Sequence, residues 1–332
     1  GLDYVPTHKG VLFGHHFAAI AGAGPLVGPV LAAQMGYLPG TLWIIFGVVF
    51  AGAVQDMMVL FVSMRRDGKS LGDIVKQELG TVPGVIASIG ILMIMVIIMA
   101  VLALIVVKAL VHSPWGTFTI AATMPIALFM GIYTRYIRPG KIGEISIVGF
   151  ILLMLAVIYG DNVAHSSIGH WFDLDGIQLT WAIMIYGFVA SVLPVWLLLT
   201  PRDYLSTFLK IGTIVALAIG ILIVSPALQM PAVTHFIDGS GPVFSGALFP
   251  FLFITIACGA VSGFHALISS GTTPKMLENE THVRMIGYGG MIMESFVAIM
   301  ALAAASSLDP GVYFAMTSPA ALIGTDANTA AE

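Results

Sequence analysis

Phe13-Gly14-His15-His16-Phe17-Ala18-Ala19-Ile20-Ala21-Gly22-Ala23-Gly24-Pro25-Leu26-Val27-Gly28-Pro29 contains no Lys, Arg, Asp or Glu and is apolar enough to enter a bilayer, yet its second half is a run of Gly and Pro that no uninterrupted helix would choose. Each proline lacks an amide proton and clashes with the carbonyl four residues back, so a continuous helix would leave the carbonyls of Ala21 and Pro25 free. At membrane depth such groups need partners. Irregular backbone is tolerated there only when it is buried in protein or lines a wet cavity, and discontinuous helices of this kind build the substrate and ion sites of transporters. The structural alternative is a proline kink packed by small residues.

The composition agrees with a membrane setting. Of 332 residues, 58% are hydrophobic and 9% charged, with 13 Lys plus Arg and 17 Asp plus Glu; a soluble chain of this size carries roughly 80 charges. The chain is therefore all-α, a polytopic transmembrane helix bundle whose first partner is the lipid bilayer. Most soluble enzymes are excluded, as are nucleic-acid binders that rely on a basic face. The net charge of −4 is uninformative, because the placement of charges matters in a membrane protein and their sum does not. Cys258 stands alone in an apolar run, which rules out an intramolecular disulfide and argues against a Cys-based metal site; no metal, no cofactor and no catalytic residue are expected. The chain begins at Gly1 and stops at Glu332 after an ordinary loop, so it reads as an internal piece of something longer.

Apolar runs of about 20 residues occur at 13–34, 41–63, 84–111, 115–136, 142–160, 178–200, 204–225, 247–270 and 286–308, giving nine spans in a single membrane domain. Connections carry turn residues such as Ser113-Pro114, Pro139-Gly140 and Pro201-Arg202-Asp203. Twelve of the 13 basic residues fall on alternate connections, and Lys108, near the end of the third span, can snorkel outward. By the positive-inside rule the residue 1 side is cytoplasmic and the residue 332 side periplasmic. Residues 64–83 form a cytoplasmic loop, in which Leu71, Ile74, Val75 and Leu79 at helical spacing behind Ser70-x-x-Asp73 predict a short interfacial helix.

The eighth span repeats the signature of the first. Gly263-Phe264-His265-Ala266-Leu267-Ile268-Ser269-Ser270-Gly271-Thr272-Thr273-Pro274 lies over Gly14 to Pro25 without a gap, matching Gly14 with Gly263, His16 with His265, Gly22 with Gly271 and Pro25 with Pro274. The eighth span lies seven spans after the first, an odd offset, which gives the copies opposite orientations, as an inverted repeat requires. Ionisable groups inside spans are functional candidates by default. Asp56 sits roughly 10 Å from the cytoplasmic end of the second span and Glu294 about 15 Å past Arg284. Both can carry a coupling proton, with His15 as a relay; Glu144 and Asp203 lie at span ends and read as interfacial. Substrate ligands are sought at the two broken helices: His16, Gly22, Gly24, His265, Ser269, Ser270, Gly271 and Thr272. No zinc-protease, nucleophile-elbow, dinucleotide or phosphate-loop motif occurs, which fits coupling to an ion gradient rather than to ATP.

The runs 11–29 (VLFGHHFAAIAGAGPLVGP), 51–56 (AGAVQD), 191–199 (SVLPVWLLL), 201–205 (PRDYL) and 259–274 (GAVSGFHALISSGTTP) resemble those of the carbon starvation protein A family, and the likeness extends over essentially the whole chain. The resemblance implies a bacterial inner-membrane transporter used under nutrient limitation. It implies uptake of peptides or, in a close branch, proton-coupled uptake of pyruvate, and a broad relation to the amino acid, polyamine and organocation transporters. It also implies longer chains with further helices before and after. It brings no ligand assignment, so the residues above rest on the physical reading. Peptides are favoured slightly, because acidic groups and freed carbonyls suit an amine, whereas pyruvate would want amide donors. Protons are the expected coupling ion, with sodium the alternative. A channel, a nutrient sensor docking through 65–83, and a membrane enzyme are the other classes, the last not expected.

Overall fold

The computed structural model describes residues 5–319. Among them the regular structure is helical, with one isolated parallel bridge between Thr7 and Leu277. Among the described residues six helices are long and apolar enough to cross a membrane: Tyr37–Met64, Thr81–Leu110, Pro114–Ile137, Ile142–Ala164, Leu199–Val224 and Glu280–Ser306. Lys9–Ile20 and Gly24–Met35 form a seventh, bent pair at 45°. The chain is a multi-pass helical membrane protein. The side on which residue 332 lies falls outside the described residues.

Two expected spans take another form. The connection placed at Pro201-Arg202-Asp203 lies inside Leu199–Val224, where Pro201 occupies the first turn and its missing amide proton costs no hydrogen bond. The chain breaks earlier, after Gly176–Val192, at Leu193 (φ −71°, ψ 148°) ahead of Pro194, the extended conformation that a following proline imposes. The run 247–270 is no continuous helix but the short pieces Leu248–Leu252, Phe253–Thr255, Ala257–Ala260 and Gly263–Ser269.

The chain divides into two compact units, 75–210 and, among the described residues, 6–74 with 211–319. In the first, Thr81–Leu110 is apolar all round, the pattern of a lipid-facing helix. Pro114–Ile132 starts on a Ser113 cap with Pro114 in its first turn and packs along Ile142–Ala164. Met130, Ile145, Leu153 and Leu205 form the core of this unit. Glu144 accepts from the Tyr133 hydroxyl at 2.7 Å and pairs with Arg138 at 3.1 Å, half exposed at the end of its helix. Asp175 and Gln178 form a capping box that starts Gly176–Val192. The chain between Ser70 and Gly80 contains the helix Leu71–Leu79, opened by Ser70 Oγ and Asp73 bonded to each other.

The second unit holds every candidate residue. Its core gathers Ala32, Met35, Ile44, Leu252, Ile256, Leu302 and Tyr313. Tyr313 Oη donates to the carbonyls of Val30 (2.7 Å) and Leu31 (3.0 Å), serving carbonyls at the end of a helix; burial pushes this phenol up to about 12. Two of its long helices widen into a π turn upstream of a buried carboxylate. Val48–Gly52 precedes Ala53–Met64, which carries Asp56, and Arg284–Tyr288 precedes Gly289–Ser306, which carries Glu294. Such turns are frequent at functional sites.

Candidate functional site

The site is organised by the segment 257–276. After Ala257–Ala260 the backbone unwinds at Val261 (φ −150°, ψ 106°) and Ser262 (φ −113°, ψ 124°), resumes as Gly263–Ser269, breaks again over 270–272, and restarts at Thr273 with Pro274 in the first turn. Bare glycines let this unwound chain sit close to its neighbours. A Cβ on Gly24 would lie 2.6 Å from Cys258 Sγ, and one on Gly52 would collide with the carbonyl of Ala260. The freed carbonyl of Ser262 accepts from Gln55 Nε2 at 2.6 Å, as buried backbone requires.

His265 opens the helix after the first break and is held on both ring nitrogens. Nδ1 lies 3.0 Å from Asp56 Oδ2 and Nε2 lies 3.0 Å from Glu294 Oε2, with all three side chains at 0% exposure. Cys258 Sγ is 3.5 Å from Glu294 Oε1 and 3.9 Å from His265 Nε2. A thiol, an imidazole and two carboxylates thus share one enclosed space, supplied by the helices Ala257–Ala260, Gly263–Ser269, Ala53–Met64 and Gly289–Ser306. Groups this close exchange protons as a unit. Cys258, His265 and Glu294 also bring three metal-ligating atoms within 4.8 Å of one another.

His16, on Lys9–Ile20, is fully buried, and its Nδ1 is 2.9 Å from Thr273 Oγ1. Its Nε2 has no hydrogen-bond partner, and neither do Asp56 Oδ1 or Ser269 Oγ, all three buried. Buried polar atoms without partners call for an explanation in water, an ion or a ligand.

The structure thus joins Asp56, Glu294 and His265, three of the expected residues, in one contact group. His15 is buried beside His16 in the same helix. Ser269, Ser270, Gly271 and Thr272 gather at the second break, about 10 Å along the helix from the first. There Ser270 Oγ donates to the carbonyl of Ala266 at 2.7 Å. Gly22 lies exposed at the break between Lys9–Ile20 and Gly24–Ala32, with open space where a side chain would be, while Gly24 is packed against Cys258. The sequence reading missed Thr273, Gln55 and Cys258 as participants. Gln55 adjoins Asp56 and Thr273 adjoins Pro274 in the quoted runs, so adjacency was the available signal. Cys258 was set aside as a lone thiol, and only the fold supplies its neighbours.

These features define a class: a multi-pass helical membrane protein with discontinuous helices around a buried ionisable cluster. A family model described as carbon starvation protein CstA matches residues 1–332, and the chain belongs to that family. It is 72% identical over 324 residues to the peptide transporter CstA of Escherichia coli K12, covering 97% of this chain and 46% of that protein. It is 66% identical over 325 residues to the pyruvate/proton symporter BtsT of the same organism, covering 98% and 45%. With the peptide transporter CstA of Campylobacter jejuni the identity is 65% over 330 residues, covering 98% and 47%. The chain spans about half the length of these curated relatives. No solved structure gives a significant match.

Proposed function

We propose that this chain is part of a bacterial inner-membrane secondary transporter that imports small peptides by proton-coupled alternating access under carbon starvation. The observation that carries the proposal is the fully buried Asp56–His265–Glu294 relay at an unwound stretch of backbone. Two carboxylates bridged by an imidazole, on three different helices, can pass a proton from one element to another as those elements move. His15 lies one residue from His16 and extends the set of buried imidazoles. The unpartnered His16 Nε2 and Ser269 Oγ, the open space at Gly22 and the second break at Ser270, Gly271 and Thr272 supply the substrate side. Gly24 contributes backbone there, since its Cα face is already filled by Cys258.

Peptide is preferred as substrate because an amine suits the carboxylates and a peptide transporter of the family shares 72% identity with this chain. A proton/pyruvate symporter is the second reading, favoured by the 66% identity to the relative of that name. Nine spans, with the residue 1 side cytoplasmic and the residue 332 side periplasmic, follow from the alternation of basic connections. An inverted repeat of the amino acid, polyamine and organocation kind is supported by the matching helix breaks at 21–23 and 270–272.

The test uses the protein at its full natural length in proteoliposomes, recording internal pH while a dipeptide or pyruvate is added outside. Acidification that depends on one substrate, and disappears in Asp56→Asn or Glu294→Gln, is the expected outcome and names the substrate class. Entry of labelled substrate without proton movement would exclude proton coupling and move the assignment to sodium symport or a channel.

A further inference from the structure

We propose that Cys258, His265 and Glu294 form a binding site for a thiophilic divalent cation of the zinc type. The donor set is one that such ions take: thiolate sulfur, imidazole nitrogen and carboxylate oxygen, with a fourth position open to water. Bond lengths of about 2.0–2.3 Å at tetrahedral angles require ligand atoms about 3.3–3.6 Å apart. The separations here are 3.9 Å from sulfur to nitrogen, 3.5 Å from sulfur to Glu294 Oε1 and 3.0 Å from nitrogen to Glu294 Oε2. These separations involve both oxygens of Glu294; with one atom per residue the three ligands lie within 4.8 Å of one another, and rotation of the three side chains would draw them in to the separations that the ion requires.

The surroundings fit as well as the ligands. A metal-binding histidine characteristically donates its other ring nitrogen to a carboxylate, which fixes the tautomer and turns the free lone pair toward the ion. Asp56 Oδ2, 3.0 Å from His265 Nδ1, is in that position. The cation would take the place between Nε2 and Glu294 Oε2, which lie 3.0 Å apart, and the thiol proton would leave to solvent. One thiolate and one carboxylate balance the two positive charges of the ion, and the buried Asp56 carboxylate behind His265 leaves the group as a whole with one negative charge. Cys258 is partly exposed while the other two ligands are wholly buried, so an ion can enter past the sulfur. Magnesium and calcium, which demand six or more oxygens, are not served by this set. The site is independent of the transport proposal; if the cluster also carries the coupling proton, the bound ion removes two of its three members and arrests uptake.

Cobalt(II) reports such a site directly, because a thiolate ligand gives it a charge-transfer absorption in the near ultraviolet. The full-length protein, purified free of metal in detergent, is titrated with cobalt and then with zinc. A saturable one-to-one band, displaced by zinc and not by magnesium, is expected. Cys258→Ser should abolish it, and Asp56→Asn, which removes only the orienting carboxylate, should weaken binding by about 10–100-fold. No thiolate band in the native protein, or an undiminished band in folded Cys258→Ser, overturns the proposal. If Cys258→Ser does not fold, Glu294→Gln decides: a loss of tenfold or more in cobalt affinity supports the site and an unchanged affinity overturns it. Because binding is read optically, its failure is distinguishable from a failure of proton-coupled uptake.

Discussion

The segments 14–25 and 263–274 share a sequence frame and a backbone frame but not a chemistry. Lys9–Ile20 stops where Gly263–Ser269 stops, at the same register, and both chains restart as a helix with a proline in the first turn. Their matched histidines then diverge. His16 reaches across to the hydroxyl of Thr273, a neutral partner in the other segment. The reciprocal contact would run from His265 to the residue matched with Thr273, which is Gly24. Gly24 has no side chain, and the space beside it is filled by Cys258 Sγ, itself 3.9 Å from His265. Relieved of a symmetric hydroxyl, His265 faces Asp56 and Glu294 instead. A repeated motif therefore repeats the break, while the residues that meet at each break set its function.

That contrast can be broken by mutation, and the largest effect is expected at His265. Replacing it with Asn strands two buried carboxylates, a loss of about 3–5 kcal/mol, visible as a large fall in the thermal unfolding midpoint in detergent. The triple variant Asp56→Asn, His265→Asn, Glu294→Gln should recover much of it. The matched His16→Asn should lose only about 1 kcal/mol; equal losses at the two histidines would dissolve the distinction.

Next in size is Gly24→Val. Its side chain would overlap Cys258 and cost about 3 kcal/mol by overpacking, with Cys258→Gly partly rescuing it. Additive effects in this double-mutant cycle would show that the two do not touch. Thr273→Val leaves His16 Nδ1 without its partner, for about 2 kcal/mol, whereas Thr273→Ser should be close to neutral in the same assay. The smallest effect belongs to the exposed pair Arg65–Glu280, with side chains 58% and 46% accessible. Arg65→Ala should change stability by less than about 1 kcal/mol, and added salt should erase the difference.

Much of the membrane architecture could be read from the chain, because hydrophobic length and proline chemistry are local. The uninterrupted run Thr81–Leu110 announces itself by 30 residues with a single charge, Lys108, near its end. The break at 21–23 follows from Pro25 and Pro29, whose missing amides cannot close a helix there. Where local signals were equivocal, boundaries moved: Pro201 reads equally as a turn residue or as the first turn of a helix, and packing chose the helix. The break at Val261 and Ser262 has no proline and could not be anticipated. It is stabilised by Gln55, some 200 residues earlier in the chain, and by the close approach of Gly52.

By itself, then, the sequence determined that the chain crosses a membrane many times, that its first and eighth apolar runs are interrupted, and that Asp56, Glu294 and the histidines are the buried groups in need of partners. Those conclusions depend on composition and near-neighbour sterics, which folding does not alter. Only the tertiary structure decided that His265 sits between Asp56 and Glu294, that His16 bonds Thr273, and that Cys258 joins two ligating groups. Each is a contact between elements far apart in sequence, created by helices packed on bare glycines. The burial that makes these polar contacts consequential arises only when the elements come together.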